Sequence, residues 1–201
     1  MTQQIVVIHG GTTFKTKQEC LDYLGTKPVD KETFQNTPGW KDCLAKNLGQ
    51  DFEVFNPTMP NRVNADFVEW GVWFDRLIPF LEDNVILIGH SMGGIFLAKY
   101  LSENNFPKII KATILIAPPF KAEDMPEALT NFAITQPLDN FAKQAGKIYL
   151  FHSQDDPVVP FSQSEKYQQA LPQAKLIKFS DREHFNQPEL PELQELIIIL
   201  K

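Results

Sequence analysis

One hydroxyl in this chain stands in a setting that could make it a nucleophile. Ser91 lies in Gly89-His90-Ser91-Met92-Gly93-Gly94, a G-x-S-x-G pattern between the apolar run Asn84–Ile88 and a helical stretch that opens near Ile95. In such an elbow the serine sits on a sharp, strained strand-to-helix turn with its hydroxyl clear of the sheet. Glycines two positions either side leave room where a β-carbon would strike a neighbouring element. At this serine and glycine content about 0.015 such patterns are expected by chance. The helix start behind Ser91 offers unpaired N–H groups and a positive dipole end, which suit the oxyanion of acyl transfer.

A serine hydroxyl needs a base, and the base needs a third group to hold it. Asp155 and Asp156 follow the apolar run Lys147–His152, and both are candidates for the acid. His184 comes four residues after the run Lys175–Ser180, giving the chain order serine, acid, histidine. His9 and His152 sit at strand ends and read as hydrogen-bonded structural residues. His90 is inside the elbow, where its ring cannot readily turn back onto Ser91. Gly10-Gly11 closes the first apolar run, so the loop after Gly10 should face Ser91 across a crevice. The backbone N–H of Met92 and that of Gly11 are the expected oxyanion donors, with Thr12 the second choice. No histidine pair has metal spacing, no P-loop lysine follows a glycine run, and Gly10-Gly11 lacks the rest of a dinucleotide fingerprint. The reading calls for no metal and no cofactor.

These residues are spread over elements that must bring them together. Short strands are expected at Ile5–His9, Phe52–Asn56, Asn84–Gly89, Ala112–Ala117, Lys147–His152 and Lys175–Ser180. Several are apolar almost throughout, as strands covered on both faces are. Helical spacing runs over Ala65–Leu81, Ile95–Ser102, Gln163–Leu171 and Pro191–Leu200. Alternation of this kind predicts a three-layer α/β/α sandwich with a doubly wound parallel sheet of about six strands. The candidate serine, acid and histidine then all follow carboxyl ends of strands on one side of the sheet, where open α/β sheets bind ligands. Trp40, Trp70 and Trp73 read as core aromatics. Glu189, Glu192 and Glu195 read as a solvated helix face. The long connection 118–146 carries its own apolar residues and admits two readings, a surface helix packed on the body or a small lid over a pocket.

The bulk properties fit a single domain over residues 1–201. The chain has 201 residues, a formal net charge of −6, 43% hydrophobic and 22% charged residues. A mild acid excess argues against nucleic-acid binding. Cys20 and Cys43, with no CxxC pair, are too few for a disulfide framework or thiolate zinc site. The N-terminus lacks a basic start and an apolar stretch of signal-peptide length, and no run approaches the roughly 20 apolar residues that span a bilayer. A cytoplasmic protein without membrane association is expected.

Taken together, Ile88–Gly94, Asp155-Asp156-Pro157-Val158-Val159-Pro160 and Glu183-His184-Phe185-Asn186 resemble the α/β-hydrolases. More specifically they resemble the small serine hydrolases related to a retinoblastoma-binding protein. Met59-Pro60-Asn61 and Trp70 downstream add to the resemblance, which runs along nearly the whole chain. It implies Ser91 as nucleophile, Asp156 as acid and His184 as base, Asp156 being preferred to Asp155 because the acid of that group directly precedes Pro-x-x-Pro. The glycine that precedes the histidine in that group is Glu183 here, a departure that bears on loop shape. The expected activity is hydrolysis of a small carboxylic ester, thioester or amide through an acyl-enzyme. The competing expectation is a non-catalytic protein-interaction module on the same fold, with a protein as its partner.

Overall fold

The computed structural model describes residues 2–35, 38–122, 125 and 128–201. Six strands form one parallel sheet: β1 (Gln3–Ile8), β2 (Phe52–Phe55), β3 (Val85–His90), β4 (Ile110–Ile116), β5 (Lys147–Ser153) and β6 (Lys175–Phe179). Their order across the sheet is β2-β1-β3-β4-β5-β6. The chain therefore steps from β1 outward to β2, then returns past β1 and winds the other way. Between β1 and β3, where Ile5 pairs with Ile86 and Ile8 with Gly89, the winding direction reverses. The expected strands are all present within a few residues of their predicted ends.

Layers on each face follow from strand alternation. Val6, Ile8, Leu87, Leu115 and Leu150 point to the face covered by α3 (Phe67–Leu77) and α4 (Met92–Glu103). There Trp70, Phe74, Phe96 and Phe132 meet edge to face, at ring separations of 5.1–5.6 Å. Ile5, Val7, Ile86, Ile88, Ile114 and Ile116 point to the other face, against Trp40 and Leu44 of α2 (Trp40–Leu48) and Leu193 and Ile197 of α7 (Pro191–Leu200). A helix α1 (Lys17–Thr26) buries only Cys20, which is why no apolar stripe announces it. The remaining helices are α5 (Asp139–Gln144) and α6 (Ser162–Ala170).

Two helices differ from their expected bounds. The stretch Ala65–Leu81 is helical only from Phe67, where Asp66 caps the N–H groups of Val68 and Glu69. It tightens to a 3₁₀ turn at Ile78–Phe80, because Pro79 has no N–H to continue the α ladder. Conversely α4 begins at Met92, three residues ahead of Ile95, since the whole turn is made at Ser91. Among the tryptophans, Trp40 and Trp70 are buried but Trp73 is exposed, a correction to the core reading of all three. Glu189 and Glu195 are exposed as expected, whereas Glu192 is partly buried against Arg182.

Within 118–146, Leu129, Phe132, Leu138 and Phe141 are buried in the α3–α4 core. Phe120 and Met125 pack against the same cluster. Glu123, Asp124, Pro126 and Glu127 lie outside the described residues, and with them part of the segment to which the lid reading applied.

Candidate active site

Ser91 occupies a backbone conformation that few side chains accept, φ 53° and ψ −120°. It is held there from both sides: its N–H donates to Ile116 O at 2.8 Å, and its carbonyl accepts from Gly94 N–H at 2.8 Å. The elbow also forces a close crossing of backbones. A β-carbon on Gly93 would lie 2.2 Å from Ile8 O, and one on Gly89 would lie 2.4 Å from Gly93 O. Neither position admits a side chain without moving main chain, which is the physical reason for glycine at both.

The two acids after β5 separate cleanly. His184 Nδ1 lies 2.8 Å from Asp156 Oδ2, with the Asp156 side chain fully buried. The other carboxylate oxygen of Asp156 accepts from the N–H groups of Val158 (2.8 Å) and Val159 (2.9 Å). Asp155 faces elsewhere. Its Oδ1 accepts from the Ser153 hydroxyl and from Glu183 N–H at 3.0 Å, bonds that hold its carboxyl below the usual carboxylate range. One acid meets the imidazole and the other ties down the loop that carries it.

That loop is clamped at several further points. His90 Nε2 bonds His184 O at 2.8 Å, Trp40 Nε1 donates to Phe185 O at 2.9 Å, and Arg182 N–H donates to Ser153 Oγ at 3.1 Å. The clamping matches local strain, because Glu183 (φ 44°) and Phe185 (φ 55°) both lie in the left-handed region. Glu183 thus stands in the left-handed region that favours glycine, with its side chain exposed. The holding roles of His90 and Trp40 were not visible in the sequence, since nothing local links residues 40, 90 and 184.

The other histidines are hydrogen-bonded within the body. His9 Nε2 accepts from Met59 N–H at 2.8 Å while Nδ1 meets Gly10 O at 2.7 Å. His152 Nε2 meets Val159 O at 2.8 Å, which leaves Nδ1 buried without a partner among the described residues. Burial pushes His9, His90 and His152 all below the ordinary imidazole value, so they stay neutral near pH 7.

Ser91 and His184 line one cleft of about 480 Å³ together with Gly10, Gly11, Thr12 and Val158. No hydrogen bond joins Ser91 Oγ to the His184 ring among the described residues; such bonds often tighten only once substrate is bound. Thr12 N–H donates to Arg62 O at 3.0 Å and is unavailable to a ligand. Gly11 N–H and Met92 N–H have no backbone acceptor among the described residues. The same cleft is also lined by Tyr23, Leu24, Lys27, Lys41 and Arg62, residues the sequence reading did not single out. For Arg62 a signal existed: it follows the carboxyl end of β2, on the rim that strand-end reasoning had marked. Among the described residues no group of His, Cys, Asp or Glu could hold a metal ion, and no helix is long and apolar enough to cross a membrane.

A parallel sheet wound 2-1-3-4-5-6, with a serine elbow after β3, defines an α/β-hydrolase. The family model described as serine hydrolase matches residues 34–192, and the chain belongs to that family. It is similar to the rat (Rattus norvegicus) serine hydrolase RBBP9, with 28% identity over 169 residues that cover 80% of this chain and 86% of the relative. Among solved structures, the ydeN gene product of B. subtilis superposes with a TM-score of 0.71 at 20% identity, over 99% of this chain and 98% of its own. The 2-hydroxy-6-oxo-6-phenylhexa-2,4-dienoate hydrolase of Rhodococcus sp. strain RHA1 gives 0.64 at 13% identity, covering 98% and 89%. At these identities the structural likeness speaks for the fold alone.

Proposed function

We propose that the chain hydrolyses a small carboxylic ester, thioester or amide through an acyl-enzyme on Ser91. The observation that carries this reading is the 2.8 Å bond between His184 Nδ1 and buried Asp156, on the rim of the cleft that Ser91 also lines. With Nδ1 engaged, Nε2 is the nitrogen left to take the serine proton as Oγ bonds to the acyl carbon. The carbonyl π pair moves onto oxygen, where Met92 N–H and Gly11 N–H meet the new charge. Collapse of that intermediate breaks the bond to the leaving group, which departs with the proton from His184. Water then repeats the sequence, giving its proton to His184 and releasing the acid. Asp156 orients the ring and stabilises its cation without itself taking the proton.

Membership of the serine hydrolases favours turnover over the competing interaction module. No step calls on a metal or a cofactor. The free thiols of Cys20 and Cys43 support placing the activity in the cytoplasm. Replacing Ser91 with Ala should abolish labelling by a fluorophosphonate probe and leave the thermal midpoint nearly unchanged. Labelling that persists in S91A overturns the assignment.

A further inference from the structure

The lining of the cleft that holds Ser91 and His184 has a charge pattern the hydrolytic reading does not use. Lys27, Lys41 and Arg62 line it, and no Asp or Glu is among its described lining residues, although the chain carries a net charge of −6. Lys41 and Arg62 make no ion pair among the described residues. Lys41 is partly buried, with Nζ 4.6 Å from the centre of the Trp40 ring. Asp42, the acid whose charge favours the Lys41 ammonium, is engaged in capping α2, accepting from Gly39 N–H at 2.9 Å. Burial and the neighbouring Arg62 push the Lys41 ammonium down to about 8. A partly desolvated cation beside a second cation is unfavourable until an anion arrives.

We infer that this cleft is built for substrates that carry an anionic group, a carboxylate or phosphate, set beside the scissile carbonyl and paired by Lys41 and Arg62, with Lys27 at the entrance. This rests on the hydrolytic reading for the reaction, but the anion site does not depend on Ser91 acting as a nucleophile. Charge-assisted bonds from lysine and arginine are among the stronger polar contacts a protein offers. Two of them facing one anion should favour it over an equally long neutral chain by about tenfold or more.

The test compares mono-4-nitrophenyl adipate with 4-nitrophenyl hexanoate, and 3-carboxy-4-nitrophenyl hexanoate as a second arm with the anion on the leaving group. Wild-type protein should prefer one anionic ester by about tenfold in kcat/KM, mainly through KM, and the arm that responds tells which side of the carbonyl faces Lys41. In K41M/R62Q that ratio should fall to near one, and K41E/R62E should invert it. Binding is read separately by calorimetry of S91A with monomethyl adipate, and again in S91A/K41M/R62Q. Ratios near one on both arms, with all esters turned over, overturn the anion site and leave the hydrolase standing. Absent turnover combined with Lys41- and Arg62-dependent binding of monomethyl adipate upholds the site and removes the hydrolase. Absent turnover and absent binding overturn both.

Discussion

Around His184 the polar groups hold one another. Asp156 is shared between the His184 ring and two backbone amides, Asp155 grips Glu183 N–H, and His90 and Trp40 hold the carbonyls of residues 184 and 185. Elsewhere in the lining of the same cleft, Lys41 and Arg62 make no ion pair among the described residues. The His184 loop is therefore held before any ligand arrives. The cationic lining carries an electrostatic disadvantage that an anionic ligand would relieve. Reaction geometry and substrate preference are thereby separable by mutation, and the two groups should respond differently to the loss of a charge.

Removing charge from the group around His184 should have the largest effect. Asp156→Asn should lower kcat by about 10⁴, because the ring loses the partner that fixes its tautomer and stabilises its cation. Stopped-flow measurement of acylation by an activated ester checks this, and a loss under tenfold would break the contrast between the two groups. The cationic lining should gain from the same kind of change. Lys41→Met should raise Tm at pH 7 by about 2–4 °C, since it removes a charge the fold holds at a disadvantage. The sign follows from linkage: a lysine lowered from 10.5 to about 8 binds fewer protons folded than unfolded between those values. Wild-type stability should therefore rise with pH through that window, and the advantage of K41M should fade as pH rises towards 10.5. Calorimetric scans at pH 7 and pH 10 separate this from a simple packing gain, which would persist at both. The smallest effect concerns strain: Glu183→Gly should raise Tm by about 1–2 °C, relief of a positive φ outweighing the greater chain freedom of glycine.

The sheet was legible because its central strands are covered on both faces and must be apolar throughout. The run Val85–Ile88 has no other reading, and pairing with β1 and β4 confirms it. Ser91 was legible for a related reason, since crossing backbones demand glycine at fixed offsets. What sequence left open was direction. Asp155 and Asp156 are adjacent, and which one turns towards His184 depends on how the chain leaves β5. The polar helix α1 was missed because it buries one residue, and a helix so thinly attached leaves no periodic stripe. Lys27, Lys41 and Arg62 come from three separate elements, and no spacing rule joins them.

The close crossing at Gly93 has one more consequence. The first turn of α4 is seated directly on the carbonyls of Ile8 and His9, so the chain leaving β1 and the elbow after β3 pack with no room between them. Packing this close should hold the spacing between the Gly11 and Met92 amides. A methyl group inserted there would act as a wedge, prising apart two loops separated by some eighty residues of chain.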